Sequence, residues 1–150
     1  RYLRAFGPAS PADVASFTGL SIIDVRAVLD RCDLRNFRTE AGGMLVDVLD
    51  APLPDAGTPA PVRFLGTWDA VLLVHARRTQ LLPEALRPRV FATSMPRSVP
   101  TFLVDGQVAG TWSATGGQVV TMPFHDLPTD TRRAVEAEAE RLTVFHAASG

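Results

Sequence analysis

The sequence predicts an α+β fold: a winged helix-turn-helix over residues 1–50, a proline-rich linker at 51–61, and a second winged-helix-like unit over 62–150. That second unit holds a three-stranded antiparallel meander and a long C-terminal helix. Three observations carry the prediction. Two helix-start signatures, "SPAD" and "SIID", begin 11 residues apart. Two turn signatures, Gly42-Gly43 and Asp105-Gly106, each sit between strand-like runs. The last twenty residues repeat apolar positions at helical spacing.

The elements follow in order. "RYLRAF" is already inside an apolar pattern and lacks a leading Met, so it reads as the tail of a first helix in a piece of a longer chain. Ser10 and Ser21 are N-cap residues, each with Asp three positions on, an approximation to a capping box; Pro11 suits the first helical position. Gly19 ends the first of these two helices. The second runs to about Arg31, and Leu20, Val25 and Val28 are its expected core contribution. Residues 34–39 and 44–49 then flank Gly42-Gly43 as a hairpin. Residues 51–61, "APLPDAGTPAP", are the linker.

Beyond it, "TWDAVLLVHARR" reads as a short helix capped by Thr67 or Asp69, and "PEALRPRVF" as a second, begun by Pro83 and limited by Pro88. Residues 92–99 are loop-like. Strands follow at 101–104, 107–112 and 118–122, the first two joined by Asp105-Gly106, both of which tolerate positive φ. A helix from about Thr129 to Ala147 closes the chain. Val135, Leu142 and Phe145 form its apolar stripe, and Glu136, Glu138 and Glu140 face water.

Composition bounds the function. The 150 residues are 46% hydrophobic, enough for a core. No apolar run approaches the ~20 residues of a membrane helix. Cys32 is a lone cysteine, so an internal disulfide is excluded and a reducing, cytoplasmic setting is favoured. His75, His125 and His146 stand apart, which gives no zinc spacing; neither metal nor cofactor is expected. Net charge is −1, and all 15 basic residues are Arg. Residues 63–97 nevertheless carry Arg63, Arg77, Arg78, Arg87, Arg89 and Arg97 against Asp69 and Glu84, a local +4. A near-neutral chain is a poor non-specific DNA binder. A basic block still allows a one-sided contact face.

"RYLRAFGP" before a helix-turn-helix, then "WDAVLL-HARR", "LP", "RVF", "LVDG-VAGTW" and a closing "EAERL--F", resembles bacterial winged-helix proteins of the AlkZ/YcaQ type. The resemblance spans nearly the whole chain and implies the second and third winged helices of a DNA glycosylase that removes alkylated or crosslinked bases. It further implies double-stranded DNA as partner, together with the remainder of a parent chain. The family's catalytic pair, Gln-x-Gln or Gln-x-Asp, belongs to its first winged helix. Gln80, Gln107 and Gln118 are not followed two residues on by Gln or Asp, so no catalytic residue carries over.

The six Arg of the basic block are the candidate DNA contacts. Each has a plainer reading: Arg77 and Arg78 also suit the C-terminus of a helix, where a cation is worth ~0.3–1 kcal/mol. The helix at 21–31 is where a helix-turn-helix reads bases. Its Arg26 and Arg31 are offset by Asp24 and Asp30, which favours a packing or positioning role. Asp69 reads as a cap, His75 as a satisfied structural histidine, and Trp68 and Trp112 as core; a stacking platform for a base is the alternative for the two Trp. The competing functions are a DNA-positioning part of a glycosylase, a non-enzymatic DNA-binding regulator module, and a protein-contact module.

Overall fold

The structure, a computed structural model, describes residues 1–76, 78–92 and 97–148, and for Ala92 and Arg97 the backbone alone. Its packing divides the chain into Arg1–Gly57 with Ala70–Arg77, and Thr58–Asp69 with Arg78–Gly150.

The first unit opens with α1 (Tyr2–Phe6), α2 (Pro11–Thr18) and α3 (Ile22–Leu29), followed by a hairpin of β1 (Leu34–Arg38) and β2 (Met44–Val48). Ser10 caps α2 in a complete capping box with Asp13, Pro11 follows it, and Gly19 ends α2 in the left-handed region at φ 73°. At α3 the motif is only half formed. Ser21 Oγ accepts from the Asp24 N–H, but the Asp24 carboxylate takes the Ser21 hydroxyl instead of the backbone. The hairpin pairs Leu34 with Val48 through Arg38 with Met44. Ala9 adds an antiparallel bridge to β2: its N–H and C=O both bond Val46, at 3.0 and 2.9 Å.

The expected core of the helix-turn-helix needs correction. Val25 is buried, but Leu20 is 56% exposed and Val28 is exposed as well. The inward line of α3 is Val25 to Leu29, an i, i+4 pair, and Val28 lies to one side of it.

The first unit also contains α4 (Ala70–Leu73). It is a single turn, shorter than the helix "TWDAVLLVHARR" suggests. Leu72 and Val74 are buried. Tyr2 packs its ring with Phe6 and Phe17 and donates its hydroxyl to the Val74 carbonyl at 2.6 Å.

The second unit is built on a four-stranded antiparallel sheet in the order β3 (Arg63–Leu65), β6 (Thr101–Val104), β7 (Gln107–Thr115), β8 (Gln118–Pro123). The expected meander of three strands is β6–β7–β8. The added strand β3 has three residues between Pro61 and Gly66, too short for an alternation to register. Asp105 and Gly106 turn β6 into β7 with φ of 48° and 73°. Gly116 and Gly117 turn β7 into β8, also at positive φ. The β6–β7 register shifts between Phe102 and Leu103, so that Ala109 is the extra residue of a bulge.

Phe102, fully buried, lies over Gly110; a Cβ there would fall 2.4 Å from the ring. Trp112 Nε1 donates to the Leu65 carbonyl at 2.9 Å, which ties β7 to the short β3 strand beyond β6. Between β3 and β6 the chain forms a 3-10 turn (Glu84–Leu86), α5 (Arg87–Val90), and a two-stranded ladder of β4 (Phe91–Ala92) and β5 (Arg97–Ser98). Residues 93–96 of the expected 92–99 loop lie outside the described residues.

The closing helix α6 (Thr129–Ala148) packs on β8 and β3. Val135 and Ala139 are its buried residues, and Thr143 Oγ1 accepts from the Val119 N–H. Phe145, expected in the apolar stripe, is 65% exposed. At about 100° per residue, ten positions past Val135 is about 80° off the inward line, whereas position 146 returns to it. His146 indeed meets the Trp112 ring, at 6.2 Å between centroids.

Candidate nucleic-acid interface

Among the described residues, the basic block is spread over β3, a loop and α5. Arg63 stands exposed on β3 and donates to its own neighbour, the Val62 carbonyl, at 3.0 Å. Arg77 lies outside the described residues, and Arg97 is described by its backbone alone, paired with Ala92. Arg78 is half-buried, and its carbonyl accepts from the N–H groups of Leu81 and Leu82. Arg87 and Arg89 both project from α5, two residues apart and therefore on different sides. The Arg87 guanidinium sits 5.2 Å over the Phe91 ring, and that of Arg89 sits 4.0 Å over Phe124. A cation held over an aromatic face is oriented at a gain of ~0.5–1 kcal/mol when exposed, and it retains its charge for an anion.

One group of residues around Arg87 goes beyond what the sequence suggested. Trp68, expected in the core, is 49% exposed and takes a positive φ of 57°. Bulky side chains avoid that region because Cβ crowds the following carbonyl. Its N–H donates to Ser98 Oγ at 2.6 Å, and Ser98 is buried opposite Phe91 in the β4–β5 ladder. The Trp68 ring in turn lies against Phe91, 6.4 Å between centroids. Arg87, Phe91 and Trp68 thus make a cation–aromatic–aromatic row. Nothing in the sequence marks a Trp for a left-handed backbone, since that depends on the distant Ser98.

The surroundings of the other polar groups are as follows. His75 Nδ1 lies 3.1 Å from the Tyr2 hydroxyl. The Asp13 carboxylate, buried, accepts from the Ser10 N–H and hydroxyl at 2.8 Å each and from the Ala76 N–H at 2.9 Å. Burial alone would raise its pKa. The hydrogen bonds from Ser10 and Ala76, with the His75 charge nearby, outweigh burial and hold it below the usual carboxylate value. Arg26 lines a shallow groove with Asp30, Cys32 and Asn36, and the Arg31 guanidinium turns back onto the Ala27 carbonyl at 3.1 Å. Gln107 donates to the Gln80 carbonyl at 3.1 Å, an ordinary loop contact. Among the described residues no three His, Cys, Asp or Glu come together as a metal site needs, and no helix is long and apolar enough to cross a membrane.

Comparison with known proteins decides the family. The family model of the AlkZ-like DNA glycosylases matches residues 1–145. The chain belongs to the AlkZ-like DNA glycosylase family. Among solved structures, Streptomyces sahachiroi DNA glycosylase AlkZ is similar at 24% identity and a TM-score of 0.77. That match covers 99% of this chain and 41% of the other, so the chain spans under half the length of that AlkZ-like relative. At this identity the likeness concerns the fold: mixed α/β, with antiparallel sheets and a C-terminal helix. No curated protein matches the chain.

Proposed function

We propose that this chain is the DNA-positioning part of an AlkZ-like DNA glycosylase and holds duplex DNA without itself cleaving a glycosidic bond. In this reading residues 1–50 are a winged helix-turn-helix, residues 51–61 a linker, and residues 62–150 a second winged-helix-like unit whose segment Ala70–Arg77 packs with the first. The bridge between Ala9 and Val46, which adds a minimal third strand to the β1–β2 hairpin, supports the winged-helix reading. The observation that carries the DNA contact is the pair of cations on α5, each seated on an aromatic ring in the most basic part of the chain.

Phosphate contacts release counterions, so affinity falls with salt at a log–log slope near −0.9 for each phosphate neutralised. Titrating a labelled duplex at two salt concentrations tests this. Arg87→Ala/Arg89→Ala is expected to flatten the slope by about two units, and Arg26→Ala/Arg31→Ala by less. The reading fails if the second pair weakens binding more than the first. On alkylated duplex the chain is expected to leave no abasic sites above a protein-free control, since no Gln-x-Gln or Gln-x-Asp pair is present.

A second reading, a protein-contact module, draws on a specific feature. Phe17, Leu20, Ile23 and Val28 are all exposed on or beside the helix-turn-helix. Absence of duplex binding even at low salt would favour it.

A further inference from the structure

We propose that Trp68 is a stacking residue for an unpaired base in the bound DNA, an inference that rests on the DNA-binding reading above. Two features of Trp68 agree, its exposure and its backbone. Its indole is half-exposed where a core role would bury it. Its backbone holds a positive φ of 57°, a conformation that costs a Trp free energy and persists only where its surroundings enforce it. The buried Ser98 hydroxyl is the enforcing contact, and it takes the Trp68 N–H at 2.6 Å. Strain of this kind, fixed by a buried partner, aims a side chain. Packing for stability alone does not account for it, because the ring it aims remains half in water.

The surroundings select the ligand. The Phe91 ring lies 6.4 Å from the indole, and Arg87 lies over Phe91 at 5.2 Å, so Phe91 contacts both a cation and a second aromatic ring. The stretch of sequence 63–97 that contains all three residues carries a net +4. An anionic chain bearing flat, apolar rings matches both properties: the base stacks on the indole and the adjoining phosphate meets the guanidinium. Single-strand binders combine the same two elements, and each stacked base is worth a measurable share of affinity without sequence preference. A base inside a regular duplex offers no face to the ring, so the proposal concerns a base that is bulged, unpaired or displaced.

Two labelled duplexes of identical sequence, one carrying a single unpaired adenine, test it in the 150-residue chain. The parent chain is expected to prefer the bulged duplex, and its tryptophan fluorescence to be quenched on binding. Trp68→Gly fits the left-handed backbone and is expected to melt close to the parent. It should weaken binding to the bulged duplex by about 5- to 150-fold and leave the paired duplex unchanged. Trp68→Phe should recover part of the preference without the quench. Arg87→Ala should weaken both duplexes and flatten the salt dependence of both. Equal affinity of the parent for the two duplexes, or a Trp68→Gly effect of the same size on both, overturns the stacking role and leaves DNA binding standing. Failure to bind either duplex at low salt overturns both.

Discussion

Asp13 concentrates two tasks in one side chain. It completes the α2 capping box with Ser10, and its other oxygen holds the Ala76 N–H. The first task was legible in "SPAD"; the second was not, because nothing links positions 13 and 76 except the fold. Asp13→Ala is expected to cost about 1 kcal/mol or more in urea unfolding, with the Ala76 N–H left unpaired. Its pKa is depressed in the folded state relative to the ordinary 3.8. Its stabilising contribution is therefore complete above about pH 4 and lost as pH falls through the lower folded value. The stability gap between the parent and Asp13→Asn should narrow progressively below that point; a gap constant down to acid unfolding would contradict the assignment. Thr101 presents the opposite case. Fully buried on β6, its Oγ1 has no hydrogen-bond partner among the described residues. A buried hydroxyl without a partner costs ~1–3 kcal/mol. Thr101→Val should therefore raise the denaturation midpoint, and a lower one would reveal a partner for the hydroxyl.

Elements were most legible where a turn residue is obligatory. Gly19, Gly42 and Gly106 all take positive φ, and each ends a run whose boundaries the sequence located within a residue or two. Gly19→Val should destabilise the chain by about 1 kcal/mol or more, and the cause is the backbone alone. No atom lies within 4 Å of a Cβ placed there, so the turn is conformationally demanding and not crowded. Gly110 is the reverse, since a Cβ would fall 2.4 Å from the Phe102 ring and 2.6 Å from the Met122 carbonyl. Gly110→Ala is expected to cost about 1–3 kcal/mol by overpacking, read as a lower melting temperature. The β6–β7 bulge beside it could not be read from "LVDGQVAGTW", whose alternation continues through it. Amphipathic stripes were legible only in part. Val25 and Val135 were expected in the core and are buried, but Val28 and Phe145 are apolar residues one step off the inward line. Apolar identity alone does not say which side of that line a residue takes.

At the scale of the molecule, the sequence gives the basic block its charge but not its arrangement: Arg63 stands on a sheet strand, while Arg87 and Arg89 share a short helix. The row of Arg87, Phe91 and Trp68 became visible only through the Ser98 contact. The return of α4 to the first unit was not legible, because "DAVLLV" carries no mark of its destination. That return has a mechanical consequence. The carbonyl that accepts from Tyr2 and the N–H that satisfies Asp13 both lie downstream of the linker. A protease nick within "APLPDAGTPAP" would therefore divide the covalent chain without dividing the first unit. Its two pieces should separate on a denaturing gel yet co-elute under native conditions, held by noncovalent complementation between residues 1–57 and the segment from Ala70 to Ala76. Tyr2→Phe combined with Asp13→Ala should loosen that hold and release the N-terminal piece. Spontaneous separation of the unmodified pieces would show instead that the first unit is complete without α4.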